Sequence, residues 1–330
     1  MLYTTIQQAA PALRDAMTAA RHILVTSHIN PDGDAVGSSI GLTRILRAMG
    51  CRVTMVLPTD LPSLAVVLPD APEVGVYSQG ASLPDDVDLV VLVDTGSISR
   101  IEPIFSAERA YLAQRPLLVI DHHATNSGEG FLNLVMTEAA ATCEILGLLA
   151  QAWNQAIDAE TATALLMGLV TDTQSFQTSH TSPRTLRVAA DLLALGGRLN
   201  EVMRSMMYGK PFAHAKALGM AIERMHDEGD IIWTEFTQAM QQGTGADDEA
   251  GDEITAYLSR VATAKAYVLF KERRDGTVKI SMRSQPGIDV GSVAHNLGGG
   301  GHREAAGATL QMGLAEARDL VLSTLRSALA

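Results

Sequence analysis

ILVTSHINPDGDAVGSS, residues 23–39, is the stretch that decides the fold. Residues 23–27 form a short β-branched apolar run. Residues 35–49 carry a helical apolar pattern, and a polar loop lies between the two. The same unit recurs downstream. Residues 52–57 (RVTMVL), 88–93 (DLVVLV) and 117–120 (LLVI) read as further strands, the last two separated by a helical segment at 103–113. The run at 88–93 is almost wholly apolar, as expected of a strand covered on both faces. Strands alternating with helices predict a doubly wound, mainly parallel sheet. Helices at 139–153 and 159–170, the second capped by Asp158, close this half.

From 182 to 226 nearly every residue reads as helix. SPRTLRVAADLLALGG puts Pro183 in a first turn and Gly196 and Gly197 after the last. Beyond it the pattern changes. A strand at 231–236 is followed by the acidic, Gly-rich GTGADDEAGDE (243–253), which reads as a solvated loop. AYVLFKERRDGTVKISMRS (266–284) reads as a hairpin with Asp275 and Gly276 as its two-residue turn. A short helix at 289–295, four glycines, a strand near 308–311 and an amphipathic helix complete the chain. The expected class is α/β. An N-terminal doubly wound, mainly parallel sheet (1–195) is joined by a helical connector (196–226) to a smaller α+β C-terminal domain (227–330).

Composition narrows the function. A length of 330 residues suits roughly two domains. Aromatics are 4% of the chain, too few for the stacking platforms that hold long single strands. The formal net charge is −12, whereas long nucleic acid is held by a basic stripe. Any nucleic-acid substrate is therefore short and gripped locally. Cys51 and Cys143 cannot make a disulfide framework and read as core-side thiols. The N-terminus lacks a basic start followed by an apolar stretch, and no apolar run approaches the roughly 18 residues of a spanning helix. A cytoplasmic protein without membrane contact is expected.

The chemistry lies at the strand ends. His28, Asn30, Asp32 and Asp34 follow the first strand, Asp94 the third, and Asp121, His122 and His123 the fourth. Ligands of an open parallel sheet bind outside the carboxyl ends of its strands, so these groups converge on one edge. Taken singly, Asp34 or Asp121 would most often cap the next helix. Together they form a cluster of carboxylates whose mutual repulsion needs neutralising, and divalent cations do that. Carboxylates outnumber imidazoles and no thiolate is present, which suits Mn²⁺ or Mg²⁺ better than structural zinc. Two carboxylate-bridged cations are a standard device of phosphoryl chemistry.

His28-Ile-Asn-Pro-Asp32-Gly-Asp34, then Asp94, Asp121-His122-His123 and Thr171-Asp172-Thr173, resemble in order the four motifs of the DHH phosphoesterases. Arg283-Ser284 and Gly298-Gly299-Gly300-Gly301-His302 resemble the associated DHHA1 domain. The resemblance spans about residues 23–310 and is nearest the bacterial nano-RNase and pAp phosphatase group. It implies two Mn²⁺ ions, with Mg²⁺ or Co²⁺ as substitutes. One would take His28, Asp32 and Asp94, the other Asp34, Asp94, His122 and Asp172. Asp121 would orient the histidines, and His123 would face the substrate phosphate. Arg283, Ser284, the four glycines and His302 would hold the rest of the nucleotide. Gln174 and Gln177 depart from the family pattern, which usually has Gly and commonly Arg there, and a substrate-side contact would be lost with them.

The function so implied is hydrolysis of short oligoribonucleotides to mononucleotides and removal of the 3′-phosphate of pAp. A phosphodiesterase for cyclic or linear dinucleotides is the alternative. A pyrophosphatase would be expected to line its second domain with Lys and Arg, and a processive RecJ-type exonuclease to be longer and less acidic. A non-catalytic nucleotide-binding regulator would lack cation ligands, and none is missing here. Short oligonucleotides and small nucleotides are the expected partners, and a homodimer is left open.

Overall fold

The computed structural model describes residues 1–208 and 210–329. The chain divides into two compact units, Met1–Gly209 and Lys210–Ala330.

In the first unit, strands β1 (Leu2–Tyr3), β2 (Ile23–Thr26), β3 (Val53–Leu57), β4 (Gly75–Val76), β5 (Leu89–Val93), β6 (Leu117–Asp121) and β7 (Leu132–Val135) form one sheet. Its order is β1-β7-β6-β5-β2-β3-β4, with every neighbouring pair parallel. Every residue of β2, β5 and β7 is buried, because helices cover both faces and the runs are largely apolar. The chain moves outward through β3 and β4, then returns to the other side of β2 for β5 and β6. The switch point therefore falls between β2 and β5, where the ligand crevice of such a sheet opens.

The helices of this unit are α1 (Ile6–Ala19), α2 (Gly33–Ala48), α3 (Ile104–Ala107), α4 (Arg109–Ala113), α5 (Thr142–Ala152), α6 (Ala159–Asp172), α7 (Pro183–Ala194) and α8 (Leu199–Tyr208). The single helix expected over 103–113 is two short ones. Glu108 leaves the helical basin (φ −113°, ψ 30°) while its carboxylate accepts from the Tyr77 hydroxyl at 2.8 Å. The expected cap holds, since Asp158 accepts from the Thr161 N–H at 2.8 Å. Strands β1 and β7 and helix α1 go beyond the sequence reading. Asn133 interrupts the apolar run of β7, and it is tolerated because its amide donates to Met1 O and Gly130 O at 2.8 and 2.7 Å.

The second unit holds a mixed sheet of order β12-β13-β11-β10-β9-β8. Its strands are β8 (His226–Asp227), β9 (Ile231–Phe236), β10 (Ala266–Glu272), β11 (Val278–Ser284), β12 (Gly300–His302) and β13 (Ala305–Leu310). Alternate residues of β10 serve two cores. Val268 and Phe270 face one side with Trp233 and Val321, while Tyr267 and Leu269 face the other with Phe236 and Ile254. Helices α9 (Phe212–Glu223), α10 (Gln238–Thr244), α11 (Ala250–Leu258), α12 (Val290–Asn296) and α13 (Leu314–Leu329) supply the covering layers.

Two local expectations are corrected. The acidic stretch 243–253 is not all loop, because α11 begins within it and takes Asp252 and Glu253 into its first turn. Carboxylates there face the positive end of the helix, and Glu253 also meets buried His214 at 2.6 Å. The hairpin turn is longer than two residues: the Arg273 N–H donates to Thr277 O at 2.9 Å, and Gly276 adopts φ +82°. A left-handed glycine after a type I turn is the usual three-residue solution. No helix among the described residues is long and apolar enough to cross a membrane.

Candidate metal centre

Two helices set the geometry of the site. Asp32 caps α2, its carboxylate accepting from the N–H groups of Asp34 and Ala35 at 2.9 and 3.1 Å. Helix α2 then crosses α6 closely, with glycines of α2 at the contact. A Cβ on Gly33 would meet the Thr171 side chain at 2.4 Å, and one on Gly37 would meet Ala164 O at 2.4 Å. This close approach brings Asp172, the last residue of α6, to the strand ends carrying His28 and His122. Asp34 is fully buried and accepts from the N–H groups of Thr142 and Cys143 at 2.6 and 2.9 Å, at the start of α5. Asp94 leaves β5 at φ +54°, a left-handed conformation that non-glycine residues seldom adopt.

The donors fall into two sets. His28 Nε2 lies 3.9 Å from Asp32 Oδ2 and 3.6 Å from Asp94 Oδ2. His122 Nε2 lies 3.1 Å from Asp172 Oδ2, 3.5 Å from Asp94 Oδ1 and 4.0 Å from Asp34 Oδ2. Asp94 thus turns one oxygen to each set. Ligands about 2.0–2.1 Å from an octahedral ion sit about 3 Å from their neighbours, so both sets are close to coordination spacing. Each histidine is fixed in the tautomer a ligand needs. His28 Nδ1 bonds Ile29 O at 2.8 Å and His122 Nδ1 bonds Ala139 O at 3.3 Å, aiming Nε2 at the carboxylates.

The electrostatics point the same way. Burial, with the charges of Asp94 and Asp172, holds the Asp34 carboxyl well above its ordinary range. Burial, with Asp94 and Asp32, pushes Asp172 up to about 6 despite its bond to His122. Burial also works against ionisation of Asp94, yet the bonds from His122 and His28 hold it well below the usual value. His122 is held well above its ordinary value, since Asp172 and Asp94 outweigh its burial. Carboxylates that compete in this way are relieved by positive charge placed among them, and the residues present fit divalent cations.

Asp121 stands behind the donors. Its oxygens accept from the N–H groups of Gly96, His122 and His123, from Asn126 Nδ2 and from His123 Nδ1, the last at 2.8 Å. His123 Nδ1 lies 3.6 Å from Asp94 Oδ1, near enough for a third donor set of Asp94, His122 and His123, but that nitrogen is engaged by Asp121. Thr142 escaped the sequence reading, although its hydroxyl donates to Asp94 Oδ1 at 3.1 Å. The four-residue spacing of Gly33, Gly37 and Gly41 was the available signal for the crossing that delivers Asp172.

After Asp172 the backbone is strained. Gln174, Ser175 and Phe176 have φ of 48°, 63° and 66°. Three consecutive non-glycine residues in the left-handed region cost roughly 1–2 kcal/mol each. Gln174 and Gln177 are exposed here, and the Gln177 amide donates to Gln174 O at 2.8 Å.

In the second unit, Arg283, Gly298, Gly299, Gly300, Gly301 and His302 line one cavity of about 670 Å³, together with Lys279 and Asp252. Burial draws the Arg283 pKa below its ordinary value, opposed by the Asp252 charge. Ser284 is not in the lining, and its hydroxyl donates to Ile288 O at 2.9 Å. The glycines also answer a packing demand. A Cβ on Gly299 would lie 2.1 Å from Gly307 O, and one on Gly301 would lie 2.6 Å from Ala305 O, so the close approach to β13 requires glycine at these two positions. A cavity of about 780 Å³, lined by Gln238, Gln242 and Arg274 among others, involves none of the expected residues.

A carboxylate shared between two facing donor sets, at the switch point of a parallel sheet, is the architecture of a two-cation phosphoester hydrolase. Residues 22–169 match the DHH family, N-terminal domain, and residues 207–330 match the DHHA1 domain. The chain belongs to the DHH phosphoesterase family. It is 34% identical to the bifunctional oligoribonuclease and PAP phosphatase NrnA of Thermus thermophilus, over 93% of this chain and 90% of that protein. It is 29% identical to the cyclic-di-AMP phosphodiesterase GdpP of Geobacillus thermodenitrificans, over 91% of this chain and 46% of that protein. Among solved structures, an exopolyphosphatase-related protein from Bacteroides fragilis shares the fold. Its TM-score is 0.91 at 20% identity, covering 97% of this chain and 96% of that one.

Proposed function

We propose that this hydrolase degrades very short oligoribonucleotides to mononucleotides and removes the 3′-phosphate of pAp in the cytoplasm, with two Mn²⁺ ions. The carrying observation is Asp94, whose two oxygens reach separate donor sets. In this reading His28, Asp32 and Asp94 hold one ion, and Asp34, Asp94, His122 and Asp172 hold the other. Bound there, the ions supply Lewis acidity toward phosphoryl oxygens and lower the pKa of water. Mg²⁺ or Co²⁺ would substitute.

The protein supplies the rest. His123, held through Nδ1 by Asp121, is oriented to stabilise charge on the phosphate or protonate the leaving oxygen. The cavity around Arg283, Gly298, Gly299, Gly300, Gly301 and His302 holds the non-reacting part of the nucleotide, Arg283 acting as a charge-assisted donor. Catalysis before residue 196 and substrate grip after residue 226 is the division of labour this implies.

The likeness to a cyclic-di-AMP phosphodiesterase supports a second reading, cleavage of cyclic or linear dinucleotides. A panel of pAp, RNA of two to five nucleotides, linear and cyclic dinucleotides, and pyrophosphate, assayed with Mn²⁺, separates the two. Turnover of pAp and short RNA above the others is expected. Turnover confined to cyclic dinucleotides would replace the first reading with the second, and activity indifferent to chelator would refute both.

A further inference from the structure

We propose that Thr173 is a positioning residue that holds Asp172 in place for the second cation, acting through the left-handed turn that follows it. The proposal rests on the two-cation reading of the site.

Thr173 is fully buried and directly follows Asp172. Its hydroxyl donates to Leu169 O in α6 and accepts the Phe176 N–H at 2.9 Å. Its carbonyl accepts the N–H groups of Gln177 and Thr178 at 2.7 and 3.1 Å. The N–H groups of Gln174 and Ser175 return to Thr171 O and Val170 O at 3.0 and 2.8 Å. The turn thus curls back under the end of α6, and its third N–H is met by the Thr173 hydroxyl. Left-handed residues other than glycine persist only where surrounding bonds over-determine them. Once that hydroxyl is gone, Phe176 N–H is left without its acceptor inside the protein, and the three residues can relax toward ordinary φ. Relaxation pivots at Thr173 and carries the neighbouring Asp172 carboxylate away from His122 Nε2, now 3.1 Å off.

Selectivity follows from the topology. Asp172 belongs only to the set with Asp34 and His122, whereas His28, Asp32 and Asp94 come from the ends of β2 and β5. Loss of the clamp therefore weakens one of two cation sites, a pattern that general destabilisation would not produce.

The test is Mn²⁺ titration of the full chain by calorimetry, without substrate. Wild type should show two sites. Thr173→Val should keep one and weaken the other by roughly 10–100-fold, the usual effect of removing a support behind a ligand. Thr173→Ser should restore both. Gln174→Gly added to Thr173→Val should recover part of the loss, since glycine is left-handed without a Cβ penalty. Should Thr173→Val fail to fold, Gln174→Val reads the same strain from an exposed position and should weaken the same single site. Two unchanged sites in the folded variant, equal weakening of both, or no recovery with Gln174→Gly would each overturn the proposal. Absence of Mn²⁺ binding by wild type would overturn the cation reading itself.

Discussion

Gly168→Ala tests the packing that builds the centre without replacing a donor. A Cβ there would lie 2.2 Å from Asp34 Oδ1, 2.3 Å from Cys143 Sγ and 2.9 Å from Cys143 Cβ. Asp34 cannot simply step aside, because both its oxygens accept N–H groups from the start of α5. Either α6 moves off α2 and α5, or Asp34 gives up at least one charge-assisted bond. Overpacking costs about 1–3 kcal/mol and such a bond about 1.5–3 kcal/mol, so roughly 1–3 kcal/mol is expected by either route. For a unit of this size that lowers Tm by roughly 2–12 °C. Thermal unfolding followed by circular dichroism measures the loss, and Mn²⁺ titration should show the site containing Asp34 failing first. Gly219→Ala in α9, where an added Cβ meets nothing within 4 Å, is the control and should leave Tm unchanged or slightly higher. A Gly168→Ala protein that melts within 2 °C of wild type, as an order-of-magnitude margin, and binds both ions would refute the reasoning.

Asp94→Ala should abolish turnover while leaving the fold largely intact by circular dichroism, since Asp94 serves both donor sets; turnover at the wild-type rate with Mn²⁺ would sink the shared-ligand assignment. His123→Ala should retain stoichiometric Mn²⁺ by metal analysis yet lose roughly 10²–10⁴-fold in kcat, and metal loss instead would make it a ligand. Arg283→Ala should lower kcat/KM for pAp and dinucleotides by roughly 10–150-fold and scarcely affect a minimal aryl phosphate ester. Equal loss on both substrates would put Arg283 at the reacting phosphate.

The strand-end donors were legible because a parallel sheet sends the loops after its strands to one edge, so His28, Asp32, Asp34, Asp94 and His122 needed only a correct strand assignment. Asp172 was not legible in that way. It arrives from a helix end, and what brings it near is a close helix crossing packed on glycines, which local periodicity does not reveal. Strand β7 was hidden by Asn133, whose polarity is resolved only by contacts with Met1 and Gly130. The capture of Asp34 by the start of α5 joins residues more than a hundred positions apart. In the second unit, Arg283, the glycines and His302 were found together, but Ser284 is turned away by a bond to the segment that follows β11.

The glycine-lined crossing of α2 and α6 also bears on which ion the centre would accept. Side chains between helices act as a compressible layer, because rotamers can shift to let the backbones part or close. At Gly37 there is no such layer, because an added Cβ would meet Ala164 O and the Gly168 N–H of α6, so the two backbones set each other's distance directly. Asp32 and Asp34 ride on one helix and Asp172 on the other, so any widening between these carboxylates means moving backbone. Calcium, with oxygen distances of about 2.3–2.6 Å, asks for that widening, while an ion bound at about 2.0–2.1 Å does not. On the two-cation reading, the crossing would favour the ion of smaller radius through backbone contact beside the donors.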